Sequence, residues 1–338
     1  MMANNFTKLN DMISRHAVGM KHLKLSLAII KDSHVTKIIH DGSTWRCEVP
    51  HYIYEIGSVT KTFTASLLAK LLYAGRIHLE DTVEMYLPEL SECPHCPTIL
   101  QLATHTSGLG NDINRSTADA EQDLATRMTS FSGDYESDCV YRYLSEEDII
   151  DQVCMLDHNA RYGFRYSNIG YALLGIVLGR AGGVSYETLM MDLIRKDLHL
   201  QETWLGKPAK GCVLQGVGQD DSSKGNWLWG GSGAKAAGAI YSTLDDMVSY
   251  LKRHMVNQPE WLQQTHQQTY AACAPHEFSI GLGWIKEGNI TWHNGSTGCF
   301  RSFVGFREDV PRGVVLLENC RERNHVTVDT IGKYLLQE

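Results

Sequence analysis

Long hydrophobic runs are missing from the early part of this sequence. The longest, Leu23–Ile30, is eight residues and contains Lys24, whereas a bilayer span takes about 20. It also lies too far in, and lacks the flanks, to be a secretory leader. No membrane association is expected, and with no export address visible the cytoplasm is the expected location. An excess of positive charge is missing too. Lys and Arg number 31 against 39 Asp and Glu, a formal charge of -8, so nothing supplies the basic surface that a phosphate backbone requires. Nucleic acid is not an expected partner. An apolar fraction of 43% with 21% charged residues excludes disordered, collagen-like and coiled-coil chains. No repeat or low-complexity tract is present. The nine cysteines are odd in number and irregularly spaced, and a chain of 338 residues can build a core without disulfides. Reduced thiols are therefore expected.

What is present is a mixture of short strands and apolar helices. The length fits two structural units, or one α/β core carrying an insertion. The first twenty residues read as a polar amphipathic helix. Leu23–Ile30 and Val35–Ile39, joined by the polar stretch Lys31–His34, predict a β-hairpin. A short extended piece at Tyr52–Ile56 precedes a helix over Val59–Ala74, buried on most faces and stopped by Gly75. From Arg76 to about Tyr241 the pattern is helices and loops, with helical pieces at Thr98–Thr104, Ile149–Leu156 and Ile169–Arg180. Asn111–Tyr143 is polar and without period, a long loop of the kind that is usually functional or mobile. Phe278–Ile285, Ile290–His293, Phe300–Phe306 and Val314–Glu318 predict a meander of strands, and Val326–Gln337 a closing helix. The expected fold class is α+β. An antiparallel sheet from residues 1–75 and 242–338 would be flanked by helices, with an all-α domain over 76–241 inserted and the active site between them.

Three constellations carry chemistry. Ser58-Val59-Thr60-Lys61 places a hydroxyl at a helix start and an amine one turn later. Free N–H groups and the positive end of the helix dipole favour a developing alkoxide there, and a buried lysine of lowered pKa can act as base. The bland alternative is a serine cap with a solvated lysine. Tyr166-Ser167-Asn168 stands before the next apolar helix, which Ser167 or Asn168 would cap. Its phenol, as a phenolate between cations, could relay protons, and its amide could hold a substrate carbonyl or the lysine. A tyrosine packed under a capped helix is the plainer alternative. His293-Asn294-Gly295, followed by Ser296, closes a strand, where Gly295 would let the backbone approach a ligand.

In this order and context the motifs resemble the serine β-lactamase and penicillin-recognising family. The resemblance is to its class C-like branch of DD-peptidases, D-aminopeptidases and β-lactamase-fold esterases. Further segments carry the same resemblance: Gly75–Asp81 with Tyr86–Glu89, Leu102–Leu109, Tyr166–Gly175, Ser242–Met247 and Gly281-Leu282-Gly283-Trp284. It implies a β-lactamase/transpeptidase-like fold and a serine hydrolase needing no metal or cofactor, acting through a Ser58 acyl-enzyme on a small amide or ester. A D-amino-acid substrate is one expectation. Lys61 and Tyr166 would handle protons, and the Ser58 and Ser296 N–H groups would form the oxyanion hole. Asn168, His293, Gly295 and Trp229 would contact substrate. His293 stands where lactamases of this branch usually carry lysine, and a histidine is charged only part of the time near neutrality. That departure favours peptidase or esterase activity over β-lactam hydrolysis. A class C-like β-lactamase, an acyltransferase and a non-catalytic binding member remain alternatives.

Three other features have structural alternatives. Cys93-Pro94-His95-Cys96 has redox or half-zinc spacing, but no second pair at metal spacing, and reads as a loop with two adventitious thiols. Cys299 is either close to the pocket or a small buried residue. Trp227 and Trp229, among glycines, read as an aromatic cleft wall rather than core.

Overall fold

Strand pairing starts at a two-residue turn. In a computed structural model, which describes residues 10–13, 17, 19–111, 141, 144–157, 160–229, 232–267, 271–272, 278–320 and 327–338, β1 (Leu25–Lys31) and β2 (His34–His40) form the expected hairpin. Lys31 lies opposite His34, and Asp32 takes a positive φ of 54° in the turn. The strands β3 (Trp45–Arg46) and β4 (Tyr52–Glu55) follow. A 3₁₀ turn over Gly57–Val59 then leads into helix α1 (Thr60–Tyr73).

The middle of the chain is mainly helical, with α2 (Ile99–Ala103), α3 (Glu146–Cys154), α4 (Asn168–Gly182), α5 (Tyr186–Asp192) and α6 (Ser232–Gly238). It is not all-α. Short strands β5 (Thr203–Leu205), β6 (Cys212–Val213), β7 (Gly216–Val217), β8 (Ser223–Lys224) and β9 (Ile240–Thr243) interrupt it. β4 from the first part of the chain joins β5, β9 and β6 in a second sheet. These strands are two to four residues long, too short for a period-2 pattern to show in sequence. Helix α7 (Leu244–Met255) then precedes β10 (Ala271–Ala272), β11 (Ser279–Ile280), β12 (Ile285–Glu287), β13 (Ile290–Ser296), β14 (Arg301–Arg307), β15 (Arg312–Glu318) and helix α8 (Val328–Gln337). The strand expected over Phe278–Ile285 is thus two strands, parted at Gly281-Leu282-Gly283.

The main sheet runs β10–β11–β12–β13–β14–β15–β1–β2–β3, antiparallel throughout. Alternation along its central strands sends side chains to two cores. Ala28, Ile30, Val304, Val315 and Leu317 pack with α1 and α7. Leu25, Leu27, Phe303, Val314 and Leu316 pack with Val328, Ile331 and Leu335 of α8. Sheet and helices therefore hold the start of α1 against the end of β13. No single described helix is long and apolar enough to cross a membrane.

One expectation about sulfur is overturned. Cys93 is paired with Cys154 in a disulfide, Cα atoms 5.1 Å apart across 61 residues of sequence, while Cys96 stays free. Folding brings the loop after Pro88–Leu90 to the end of α3, a proximity that the spacing Cys93–Cys96 could not show. Cys299 is buried against the backbone of Gly216. Most of Asn111–Tyr143 and of the first twenty residues lies outside the described residues.

Candidate active site

The site forms where the start of α1 meets the end of β13. Gly57 has φ of +50°, and a Cβ there would fall 2.6 Å from Ser296 N, so only glycine lets the two backbones meet. Gly295 has the same function from the other side: a Cβ would lie 1.9 Å from Ile56 O. The close approach seen at Gly295 is to the protein's own chain. Ser302, opposite Gly295 in β14, donates its buried hydroxyl to Ile56 O at 2.7 Å. Together these contacts bring Ser58 and Ser296 to one rim.

No side chain caps the Gly57–Val59 turn or α1. The Ser58 hydroxyl is thus not engaged by the helix end, and the bland alternative of a serine cap fails. Lys61 is fully buried. Its Nζ lies 3.1 Å from Ser58 Oγ, 2.7 Å from Asn168 Oδ1 and 2.7 Å from Ala237 O. Burial drives its pKa well below the ordinary lysine value, because the charged form is the one that loses hydration. The Tyr166 and Tyr171 rings close round it, with centroids 4.9 and 5.6 Å from Nζ.

Asn168 is free to face Lys61 because Ser167 takes the capping role. The Ser167 hydroxyl accepts from Gly170 N at 2.7 Å. Asn168 Nδ2 donates to Tyr141 Oη at 2.7 Å. Tyr166 packs on His105, centroids 4.4 Å apart, and lies 6.3 Å from His293. Burial raises the Tyr166 phenol above its ordinary value, and hydrogen bonding with Ser58 opposes the rise. The resting group is a phenol, not the phenolate between cations that the motif allowed. His293 is buried and pushed down to about 3, by burial first and Lys61 second. His105 is displaced downwards for the same reasons. Burial thus acts against the charged forms of Lys61, His293 and His105 alike.

Trp229 stacks on Tyr141 with centroids 5.2 Å apart and planes 6° apart, and Trp227 lies 5.8 Å from Trp229. This aromatic wall adjoins Asn168 through Tyr141. Tyr166 also lines a cavity of about 670 Å³ together with Gly108, Asn111, Gln152 and Arg165.

A model of the Beta-lactamase family matches residues 19–336. The chain belongs to the beta-lactamase family. Members of that family are serine hydrolases. Protein flp of Staphylococcus aureus (strain NCTC 8325 / PS 47) is 26% identical over 284 residues, 79% of this chain and 52% of that protein. The chain thus spans about half the length of that relative. The D-alanine carboxypeptidase AmpC from Burkholderia cenocepacia superposes with a TM-score of 0.75 at 19% identity, covering 100% of this chain and 99% of that one. A class C beta lactamase from Rhodobacter sphaeroides gives 0.75 at 18%, covering 99% and 98%. Both have this fold.

Three contributors to this beta-lactamase-family site were not singled out from sequence. Tyr141 lay in a stretch without period, and its type did not set it apart from Tyr143 two residues on. The Ala237 contact is made by a backbone carbonyl in the last turn of α6, where such groups lack helical partners, and carries no residue-type signal. His105 stood within a quoted segment without a role. Its φ of 58° and its acceptance of Ser167 N–H at 3.1 Å make it the support of the Tyr166 loop.

Proposed function

We propose that the protein is a serine hydrolase that forms an acyl-enzyme on Ser58, with a small amide or ester as substrate. The observation that carries this reading is the set of partners around Lys61 Nζ. A neutral amine has two N–H donors and one lone pair. Asn168 Oδ1 and Ala237 O, each 2.7 Å away, take the two donors. The lone pair is left for the Ser58 hydroxyl, 3.1 Å away. Lys61 then accepts the Ser58 proton as Oγ attacks the substrate carbonyl. The Ser58 and Ser296 N–H groups stabilise the oxyanion, each such donor contributing on the order of 3 kcal/mol. Tyr166 gives its phenolic proton to the leaving group, and the Lys61 ammonium returns the first proton to Tyr166. Water, entering by the same route, releases the acyl group.

His293, uncharged at neutral pH, offers no fixed cation for a substrate carboxylate. The aromatic wall with Trp229 offers apolar contact instead. These features favour an ester or a peptide-like amide over a β-lactam. The Cys93–Cys154 disulfide is of a kind that oxidising compartments maintain, and it weighs against the cytoplasmic expectation. The test is intact-mass detection of a fluorophosphonate adduct in wild type and Ser58→Ala, followed by turnover of p-nitrophenyl esters, D-aminoacyl amides and nitrocefin. An adduct lost in Ser58→Ala supports the reading. An unlabelled wild type refutes it, and nitrocefin as the fastest substrate refutes the preference for ester or peptide.

A further inference from the structure

Glu55, three residues before Ser58, is buried to 2% exposure and absent from the chemistry above. Its Oε1 accepts from the Trp227 N–H at 2.9 Å and from the Tyr241 hydroxyl at 3.0 Å. Tyr241 also lies opposite Glu55 in the β4–β9 pair, and its hydroxyl is 3.2 Å from Trp227 O. Glu55 thus holds the Trp227 N–H, while the single Tyr241 hydroxyl proton lies between Glu55 Oε1 and Trp227 O. Trp227 leads to Trp229, and so to the Tyr141 stack and Asn168. The other carboxyl oxygen, Oε2, is buried without a hydrogen-bond partner of normal geometry, as is the hydroxyl of Thr297 next to Ser296. Thr297 nevertheless acts on Glu55 closely enough to oppose the effect of burial. The Asn226 side chain opposes it as well, and buried polar groups left without a partner tend to pair with such neighbours.

We propose that Glu55 is a positioning residue that fixes the aromatic wall at Trp227–Trp229 to the Ser296 end of β13, with Oε1 holding the wall and Oε2 holding Thr297. The inference rests on the acyl-enzyme reading of the site. The role depends on hydrogen bonding rather than on charge. Burial raises the Glu55 carboxyl to about 7, so both forms are present at neutrality, and each has a complete arrangement. Ionised, Oε2 accepts from the Thr297 hydroxyl; protonated, it donates to it. The groups that act on the carboxyl are Tyr241 of β9, Thr297 after β13, and Asn226 and Trp227 of the wall segment, none of them charged. A glutamine reproduces the protonated arrangement, whereas a leucine leaves the Trp227 N–H and the Tyr241 hydroxyl without this acceptor.

The experiment is p-nitrophenyl butyrate turnover by the full chain, with active enzyme counted by fluorophosphonate titration of Ser58. Glu55→Gln is expected to keep KM and kcat within about threefold of wild type and to remove any pH limb near 7. Glu55→Leu is expected to raise KM tenfold or more per titrated site. Because a leucine here can also prevent folding, Tyr241→Phe and Thr297→Val form a second arm. The first acts on the wall and raises KM; the second acts beside Ser296 and lowers kcat. A purely structural role would reduce the titrated fraction and leave both constants per site unchanged. That result, a Gln variant as impaired as the Leu variant, or no KM-against-kcat split in the second arm, overturns the inference. An unlabelled wild type defeats the acyl-enzyme reading and this inference with it. Normal labelling of wild type with indistinguishable variants defeats this inference alone.

Discussion

Helix α1 has buried titratable groups on two sides, and they are organised in opposite ways. On one side, Lys61 Nζ is within hydrogen-bond distance of Ser58, Asn168 and Ala237. On the other, Phe63 stacks on Tyr250 at 3.9 Å, behind which His254, His266 and Trp284 meet through their rings. Among the described residues both nitrogens of His254, Nε2 of His266 and Nε1 of Trp284 have no hydrogen-bond partner. Burial lowers the proton affinity in both places, since Lys61 and His254 are driven far down and His266 to about 4. A perturbed pKa therefore marks burial, and burial occurs at both. What separates the regions is the arrangement of partners. One sets an amine within 3.1 Å of a serine hydroxyl, and the other encloses its nitrogens among aromatic rings.

Removing the amine gives the largest expected effect. Lys61→Ala should slow fluorophosphonate acylation of Ser58 by on the order of 10³-fold, as groups acting as a unit do. A near-normal rate would make the two regions equivalent and end the distinction. Tyr166→Phe should cost about 10²-fold with a good leaving group absent, measured as amide turnover, and less with a p-nitrophenyl ester, whose leaving group needs no proton. Equal losses on both substrates would deny Tyr166 its role as acid. Gly283 lies between the two regions, with φ of +72° and a Cβ position 2.8 Å from Ala65 Cβ and 2.9 Å from Lys61 O. Gly283→Ala should destabilise the fold by about 1–3 kcal/mol, read from denaturant midpoints. The smallest effect belongs to the second region. His254→Leu should leave acylation within twofold while narrowing the loss of thermal stability between pH 7 and pH 4. The sign follows from linkage: a histidine held neutral in the fold but protonated when unfolded costs stability as pH falls below about 6.5. An unchanged pH dependence would mean that His254 is not held neutral by burial.

The same contrast shows what the sequence could convey. Ser58, Lys61, Tyr166 and Asn168 stood out because Ser-x-x-Lys, Tyr-x-Asn and His-x-Gly in one order resemble a family's motifs, and the glycines round Trp229 marked a loop. The hairpin at Lys31–His34, helix α1 and the strands from Ile290 to Glu318 were legible because long elements show their periodicity. Strands β5 to β9 were not, since two to four residues carry no period. The Cys93–Cys154 pair and the Ala237 contact depend on segments 61 and 176 residues apart, and tertiary packing alone decides them. Gly295 was legible as a place of close approach, and the neighbour that the fold supplies there is Ile56. Sequence indicates that a side chain must be absent, not which chain fills the space.

The central claim is that Lys61 is a neutral amine facing the Ser58 hydroxyl at working pH. The pH dependence of fluorophosphonate acylation of Ser58 tests it most directly. A rate that has reached its plateau by pH 8, with its acid limb well below the ordinary lysine value of 10.5, is the predicted result. A rate still rising about tenfold per pH unit between 8 and 10 would contradict it, because Lys61 would then be an ammonium with no lone pair to offer.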